Sequence, residues 1–146
     1  MKEKYINNMR AFSRFYTDIL GLLDKHILES TYSLSEARIL YELYHNKNFK
    51  AKDIQAILHI DKGQLSRILL KLEKEQLLVR DRSEDDGRAA FLSLTEKGQH
   101  EYELLDKASH NQVEGLLKHL DKKTLKELSS HMSEIQRILS VSELSS

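Results

Sequence analysis

The feature that most constrains the fold is residues 77–98, LLVRDRSEDDGRAAFLSLTEKG, which follow directly on a helical pattern. Two short runs rich in branched and aromatic residues, 77–82 and 89–94, flank a polar stretch containing Asp86-Gly87, a strong turn signal. The segment therefore predicts a β-hairpin. Thr95 can then accept hydrogen bonds from the free amides of a new helix that begins at Glu96. We expect a hairpin held between two helices.

The composition fits one globular domain. With 146 residues, 40% of them hydrophobic and 32% charged, a single domain over residues 1–146 is expected. The absence of cysteine excludes disulfides and thiolate metal sites. No stretch has the apolar run of a signal peptide or the ~20 apolar residues of a membrane span. The sequence therefore predicts a cytoplasmic protein without a membrane partner.

The charge is balanced overall but uneven along the chain. A net charge of zero argues against a protein that coats nucleic acid unspecifically. Residues 47–80 nevertheless contain eight basic and four acidic residues, whereas the part from residue 99 onward has six basic and eight acidic ones. Either phosphate contacts or a solvated helix face explains this local positive charge.

Apolar spacing predicts several amphipathic helices. Residues 4–27 form the first, because apolar residues recur at steps of three or four at Tyr5, Met9, Phe12, Tyr16, Ile19 and Leu23. Ser33 and Glu36 have the spacing of a capping box and predict a second helix that runs to about residue 46. A short helix over residues 51–58 follows. The predicted fold is mainly α with a small β-hairpin.

The next helix has two chemically distinct faces. Asp61 can cap it, with Gln64 three residues later, and its apolar stripe is Leu65, Ile68, Leu69 and Leu72. The outward residues are polar or cationic: Lys62, Gln64, Ser66, Arg67 and Lys71. Two helices joined by a short turn, the second presenting such side chains, form the helix-turn-helix that enters the major groove of DNA. Residues 33–98 thus predict a winged helix-turn-helix lobe.

Several motifs resemble the MarR-type winged helix-turn-helix regulators. Asp86-Gly87-Arg88 is similar to the Asp-x-Arg wing signature of that family, and residues 94–98 are similar to its Leu-Thr-x-x-Gly. Leu72-Glu73 and Arg80 stand at the family's spacing upstream. Residues 10–98 also resemble the regulator-like half of proteins that join this domain to a GNAT acetyltransferase. We expect no acetyltransferase in a chain that ends at Ser146.

Two positions depart from the family pattern. Gln76 stands where the family usually has a glycine just after the recognition helix, and keeping a left-handed conformation there costs about 1 kcal/mol. Lys50 stands where a serine or threonine usually caps the first helix of the motif. Both changes concern local stability and leave the expected base-reading face intact.

The resemblance implies a sequence-specific regulator of transcription that binds double-stranded DNA, with a repressor as the expected form. At the wing, the Arg88 guanidinium suits a narrow minor groove, while Asp86 pairs with it or with Arg82. The alternative is that Arg82 and Arg88 are ordinary solvent-exposed residues of a hairpin rich in carboxylates and contact no DNA. On the recognition helix, Gln64 suits adenine, Arg67 suits guanine and Lys71 suits a phosphate oxygen.

The two ends of the chain predict a homodimer. Apolar residues recur at Leu125, Leu128, Met132, Ile135 and Leu139, and the helix before them adds a second stripe. In the family the first helix and the last two interlock, which implies dimerisation helices at 4–27 and 96–139. Two recognition helices would then meet half-sites roughly 34 Å apart in a near-palindromic operator. The alternative is that both stripes pack within one chain.

Regulation by a small molecule is a further expectation, because family members commonly have a ligand cavity between the dimer stem and the DNA-binding lobe. Arg10, Arg14, Tyr16 and Tyr41 are candidates for an anionic aromatic ligand. Arginines on an amphipathic helix also commonly form surface or interhelical salt bridges. We hypothesise a repressor that a small effector releases from DNA.

Catalysis is not expected. The seven histidines include no pair three or four residues apart, the spacing that would converge on a metal. The paired carboxylates Asp85 and Asp86 lie on a predicted turn, and no glycine-rich phosphate loop is present. The sequence therefore predicts no enzyme, metal or cofactor. The competing hypothesis is a winged-helix module that binds a protein partner, which would not bind duplex DNA.

Overall fold

The structure, a computed structural model, describes the backbone of residues 2–82 and 90–144 and the side chains of residues 2–21, 30–81 and 90–140. It divides the chain into two compact units, Met1–Ser109 and His110–Ser146. The elements in chain order are α1 (Lys2–Glu29), α2 (Leu34–His45), α3 (Ala51–Leu58), α4 (Lys62–Lys74), β1 (Leu78–Arg82), β2 (Ala90–Leu94), α5 (Glu96–Leu117) and α6 (Lys122–Leu144). The expected helical fold with a two-stranded hairpin is confirmed. The single domain stays a prediction.

The predicted starts of α2 and α5 are confirmed by their capping bonds. Ser33 Oγ accepts from the Glu36 amide at 3.2 Å, and Glu36 Oε2 accepts from the Ser33 amide at 3.4 Å, the two bonds of a capping box. Thr95 Oγ1 accepts from the Gly98 amide at 3.0 Å at the start of α5. The helix ends differ more, because α6 continues to Leu144 rather than ending at residue 139. No glycine or proline follows Lys122 to stop it.

The core of the unit Met1–Ser109 is formed by α2, α3, α4, the hairpin and α5. Its buried members are Ile39, Leu40, Leu43, Ile54, Leu65, Leu69, Leu72, Leu77, Leu78, Leu92 and Tyr102. The inward stripe predicted for α4 is confirmed at its three leucines, while Ile68 is partly buried. Full burial of each such side chain stabilises the fold by roughly 1.5–3 kcal/mol. The inner face of α4 is therefore fixed on the core.

The hairpin is anchored to the helix-turn-helix at its base. The two strands are antiparallel, with Leu78 opposite Leu94 and Arg80 opposite Leu92. The Leu92 amide also donates to the Phe49 carbonyl at 2.7 Å, which adds a short third pairing just before α3. The hairpin is thus hydrogen-bonded to the segment that leads into α3, the first helix of the helix-turn-helix.

Lys50 contributes to this junction in place of the usual cap. Its backbone amide donates to Asp53 Oδ2 at 2.8 Å, and its own side chain makes no capping bond. The Lys50 ammonium instead lies over the Phe91 ring, 5.0 Å from the ring centroid. This cation–π contact joins the start of α3 to β2.

Gln76 adopts the left-handed conformation that glycine favours, with a φ of 64°. Because a side chain strains this conformation, we expect Gln76→Gly to raise the free energy of unfolding by roughly 1 kcal/mol in urea denaturation. Gln76→Ala keeps the Cβ and is the matched control, so it should bring no such gain. Equal stability of the two variants would contradict this account of the turn.

The unit His110–Ser146 contains the end of α5 and all of α6. Asp121 Oδ1 accepts from the Thr124 amide at 2.8 Å before α6 begins. The hydrogen bonds from Thr124 lower the pKa of the Asp121 carboxyl, so the capping group is ionised at neutral pH. Met132, Ile135 and Ile138 are exposed on α6.

Candidate nucleic-acid interface

The outer face of α4 carries the side chains that the sequence predicts to contact DNA. Asp61 caps this helix, because its Oδ2 accepts from the Gln64 amide at 3.1 Å. The predicted contact residues Lys62, Gln64, Ser66, Arg67 and Lys71 are all exposed. Packing of the leucines on the opposite face leaves this polar stripe open to solvent.

Arg67 lies back along α4 toward the first turn of the helix. Its Nη1 is 3.6 Å from the point that a Cβ on Gly63 would occupy. Side chains of α-helices lean toward the N-terminus, and a glycine at this place leaves room for the guanidinium. Gln64 and Arg67, three residues apart, share one stripe of the helix. Their amide and guanidinium groups suit adenine and guanine edges respectively.

A groove of 250 Å³ beside the first turn of α4 adds a cation that the sequence analysis missed. Its lining residues are Leu34, Ser35, Arg38, Leu58, His59, Ile60, Asp61 and Gln64. Arg38 is exposed on α2, yet the fold places it in the same groove as Gln64 of α4. Its sequence signal was weak, because an isolated arginine on a helix gives no sign of which distant element it approaches.

Lys71 has an ion-pair partner on α2. Its Nζ donates to Glu36 Oε1 at 2.8 Å, and this hydrogen bond raises the pKa of the Lys71 ammonium. The Glu36 side chain is 8% exposed and that of Lys71 47%. The assignment of Lys71 as a phosphate contact stays a prediction.

The base of the wing is joined to α4 by an ion pair. Arg80 Nε of β1 donates to Glu73 Oε2 of α4 at 2.7 Å. Arg80 is thus a structural link between the hairpin and the helix. The side chains of Arg82, Asp86 and Arg88 lie outside the described residues, and their roles stay predictions.

The segment Thr95–Gly98, here called the α5 clamp, holds the turn between α4 and β1. Thr95 Oγ1 donates to the Gln76 carbonyl at 2.6 Å while accepting from the Gly98 amide. Lys97 Nζ donates to the Glu75 carbonyl at 3.1 Å. These bonds give a structural reason for the Leu-Thr-x-x-Gly pattern. The start of α5 fixes the end of α4.

Gly98 permits the closest approach in the α5 clamp. A Cβ at Gly98 would lie 2.0 Å from the Leu77 carbonyl oxygen, which itself accepts from the Thr95 amide at 3.0 Å. The neighbouring atoms are backbone and have little freedom to move. The glycine is therefore required by contact with the turn after α4.

Two tyrosines join α2 and the chain before it to α5. Tyr32 OH donates to Glu101 Oε2 at 3.2 Å, and Tyr44 OH donates to Glu103 Oε1 at 3.0 Å. Burial, followed by the charge of Glu101, raises the pKa of Tyr32 to about 12, so this hydroxyl stays protonated at neutral pH. Both bonds brace the lobe that carries α4.

The predicted ligand residues fall into two groups. Tyr41 lines a cavity of 210 Å³ together with Leu34, Ala37, Arg38, Tyr102, Leu105, Asp106 and Ser109. The Tyr41 and Tyr102 rings meet edge to face, with centroids 6.1 Å apart. Arg10, Arg14 and Tyr16 are exposed on α1 and are not among the lining residues of this cavity. The structure gathers Tyr41, and not the α1 group, at this cavity.

No described helix is both long and apolar enough to cross a membrane. Among the described side chains, no three of the usual metal-binding types lie together.

Sequence comparisons identify relatives of this chain. A profile of the MarR family matches residues 32–90. The HTH-type transcriptional regulator MhqR of Bacillus subtilis is 32% identical over 98 residues, which cover 67% of this chain and 68% of MhqR. The organic hydroperoxide resistance transcriptional regulator of B. subtilis is 38% identical over 77 residues, covering 53% of this chain and 50% of that protein.

Solved structures share the fold at low sequence identity. Streptococcus pneumoniae FabT in complex with DNA has a TM-score of 0.78 at 18% identity, covering 93% of this chain and 97% of FabT. The Staphylococcus aureus MepR–DNA complex has a TM-score of 0.73 at 17% identity, with 88% and 96% coverage.

The fold and the exposed face of α4 define a winged helix-turn-helix protein. The helix pair α3–α4, the hairpin that follows and the long helices at both ends are its parts. With the profile match and the similarity to MhqR over two thirds of both chains, the chain belongs to the MarR family.

Proposed function

We propose that this DNA-binding transcriptional regulator is a homodimeric repressor that binds a near-palindromic operator. The observation that carries the proposal is the exposed face of α4, where Gln64 and Arg67 stand on a helix fixed to the core. Its relatives MhqR and the organic hydroperoxide resistance regulator are named as transcriptional regulators, and FabT and MepR were solved with DNA. The proposed role is regulatory and not enzymatic, and its place is the cytoplasm.

The proposed contacts divide between bases and backbone. Gln64 and Arg67 read adenine and guanine edges in the major groove, and Lys62 and Ser66 contact edges or phosphates beside them. Arg38, which lines the groove next to Gln64, contacts the backbone at the edge of the half-site. Phosphate contacts of this kind fix the register of the protein on the duplex.

Exposed apolar side chains support the homodimer. Tyr5, Met9, Phe12 and Tyr16 on one stripe of α1 are between 43% and 62% exposed. On α6, Met132, Ile135 and Ile138 are between 38% and 53% exposed. Large exposed apolar faces of this kind mark interaction sites, and a second copy of the chain supplies the matching surface.

Selection of bound duplexes from a random pool tests the proposed function. We expect enrichment of near-palindromes with half-site centres roughly 34 Å apart, and a steep loss of affinity as salt rises. Enrichment of single half-sites would show that the protein does not recognise its operator as a dimer. If no duplex is retained at low salt, the proposal fails and the protein-binding module becomes the better hypothesis.

The wing contributes a cation to the minor groove in this proposal. We expect Arg88→Ala to weaken operator binding and to lower the salt exponent by about 0.9 for each protomer, about 1.8 for the dimer, while the dimer and its melting temperature stay close to wild type. Titrations at several salt concentrations measure both quantities. Lys126→Ala, which removes one positive charge from α6, is the control. Unchanged affinity for Arg88→Ala would remove the wing from the mechanism.

A small aromatic acid is the proposed effector, bound in the cavity at Tyr41. Its 210 Å³ lies below the ~300–1,000 Å³ of sites for drug-sized ligands, so a single-ring compound is expected. Arg38 lines this cavity as well as the groove beside Gln64, so in this proposal the carboxylate of the effector competes with the DNA backbone for the Arg38 guanidinium, and the tyrosine rings suit an aromatic face. Titration of operator-bound protein with benzoate-like acids tests this. Operator affinity that no such compound alters would favour control by expression level.

A further inference from the structure

Lys71 and Glu36 form a bond between α4 and α2 across 35 residues of sequence. Lys71 Nζ donates to Glu36 Oε1 at 2.8 Å. Lys71 lies four residues after Arg67 and seven after Gln64, so it shares their stripe of α4. The bond therefore engages the recognition helix on the face that carries its base-reading side chains.

Glu36 is a fixed partner for Lys71. Its Oε2 accepts from the Ser33 amide at 3.4 Å, its own amide donates to Ser33 Oγ at 3.2 Å, and its side chain is 8% exposed. It belongs to the first turn of α2, and Ile39 and Leu40, in the next turn, are fully buried. An ionised carboxylate in such a place is destabilised when its cationic partner is removed. The acceptor is rigid, and the flexible lysine side chain adapts to it.

We propose that Lys71 is a positioning residue, which fixes the rotation of α4 on α2 so that Gln64 and Arg67 meet their base edges, and is not a phosphate contact. This inference rests on the proposed function. An ammonium neutralised by a carboxylate of its own chain releases few counterions from DNA. Its removal therefore changes sequence discrimination and leaves the salt exponent intact.

A positioning role and a phosphate contact predict different results for Lys71→Met, a substitution that keeps the aliphatic part of the side chain but removes its charge. We expect affinity for the selected operator to fall about tenfold while affinity for unrelated duplex stays the same, so that discrimination between them narrows. The salt exponent should equal that of the wild type. Loss of a phosphate contact would instead lower the exponent by about 0.9 for each protomer, about 1.8 for the dimer, and weaken binding to all duplexes alike, which would overturn the inference.

Glu36→Gln tests the same bond from the other side. Glutamine retains the capping-box geometry, so α2 should form normally while the ion pair is lost. We expect the preference for the operator over unrelated duplex to fall as much as it does in Lys71→Met, although the Glu36 side chain is buried. The double variant should be no worse than either single one. Additive losses in the double variant, or unchanged discrimination in Glu36→Gln, would overturn the inference.

Lys71→Arg keeps a cation opposite Glu36 and is the control for a folding defect. It should retain operator discrimination, with a far-ultraviolet circular dichroism spectrum like that of the wild type. Loss of discrimination in this variant to the level of Lys71→Met would count against the pair. If the wild-type protein binds no duplex, the proposed function fails and the inference fails with it. If the wild type binds its operator and only the variants depart from expectation, the inference alone fails.

Discussion

Replacing Gly98 with alanine is expected to lower the free energy of unfolding by at least about 3 kcal/mol. The new Cβ would lie 2.0 Å from the Leu77 carbonyl oxygen and 3.0 Å from the carbonyl carbon. Relief requires the turn after α4 to move away from α5, which breaks the bond from the Thr95 amide to Leu77 and strains the one to Gln76. Since small domains have about 5–15 kcal/mol in total, this loss is severe.

Gly115→Ala is the matched control for that experiment. Gly115 lies in the same helix, α5, and an added Cβ there would lie within 4 Å of no described atom outside the backbone of the helix itself. Alanine favours the helix by about 1 kcal/mol over glycine, so this variant should be slightly more stable than the wild type. Urea denaturation of both variants measures the difference. A Gly98→Ala protein within about 1 kcal/mol of the wild type would show that the close approach is not required.

Local features of the fold follow from the sequence, because their partners lie within a few residues. The capping box of Ser33 and Glu36 and the caps at Asp61 and Thr95 each join residues three apart. The stripe on α4 repeats at helical spacing, so its buried face could be predicted as well. In each case the interacting residues lie within one or two helical turns of each other in the sequence.

Features that join distant segments could not be predicted in the same way. The Lys71–Glu36 bond depends on how α4 packs on α2, and the need for Gly98 depends on the turn at Leu77. Arg38 appeared as an ordinary surface arginine until the fold placed it beside Gln64. The similarity of residues 94–98 to the Leu-Thr-x-x-Gly of the family marked this segment as a motif but gave no physical reason for it.

Arg67→Ala is expected to have the largest effect on operator recognition, a loss of about 1–3 kcal/mol in binding free energy per half-site, or roughly 5- to 150-fold in affinity for each half-site. The reason is that a guanidinium can donate two bonds to one guanine, and its removal leaves that base pair unread. The loss should be confined to one base pair in each half-site. Affinities for operators substituted at every position measure it.

Arg67→Lys separates base reading from charge. Lysine keeps the positive charge but lacks the planar fork of donors, so non-specific binding and the salt exponent should stay near wild type while the preference at that base pair is lost. If Arg67→Ala instead weakens binding equally on every sequence and Arg67→Lys restores it, Arg67 is a phosphate contact. Base reading by α4 would then fall to Gln64, and the operator would be specified mainly by its shape.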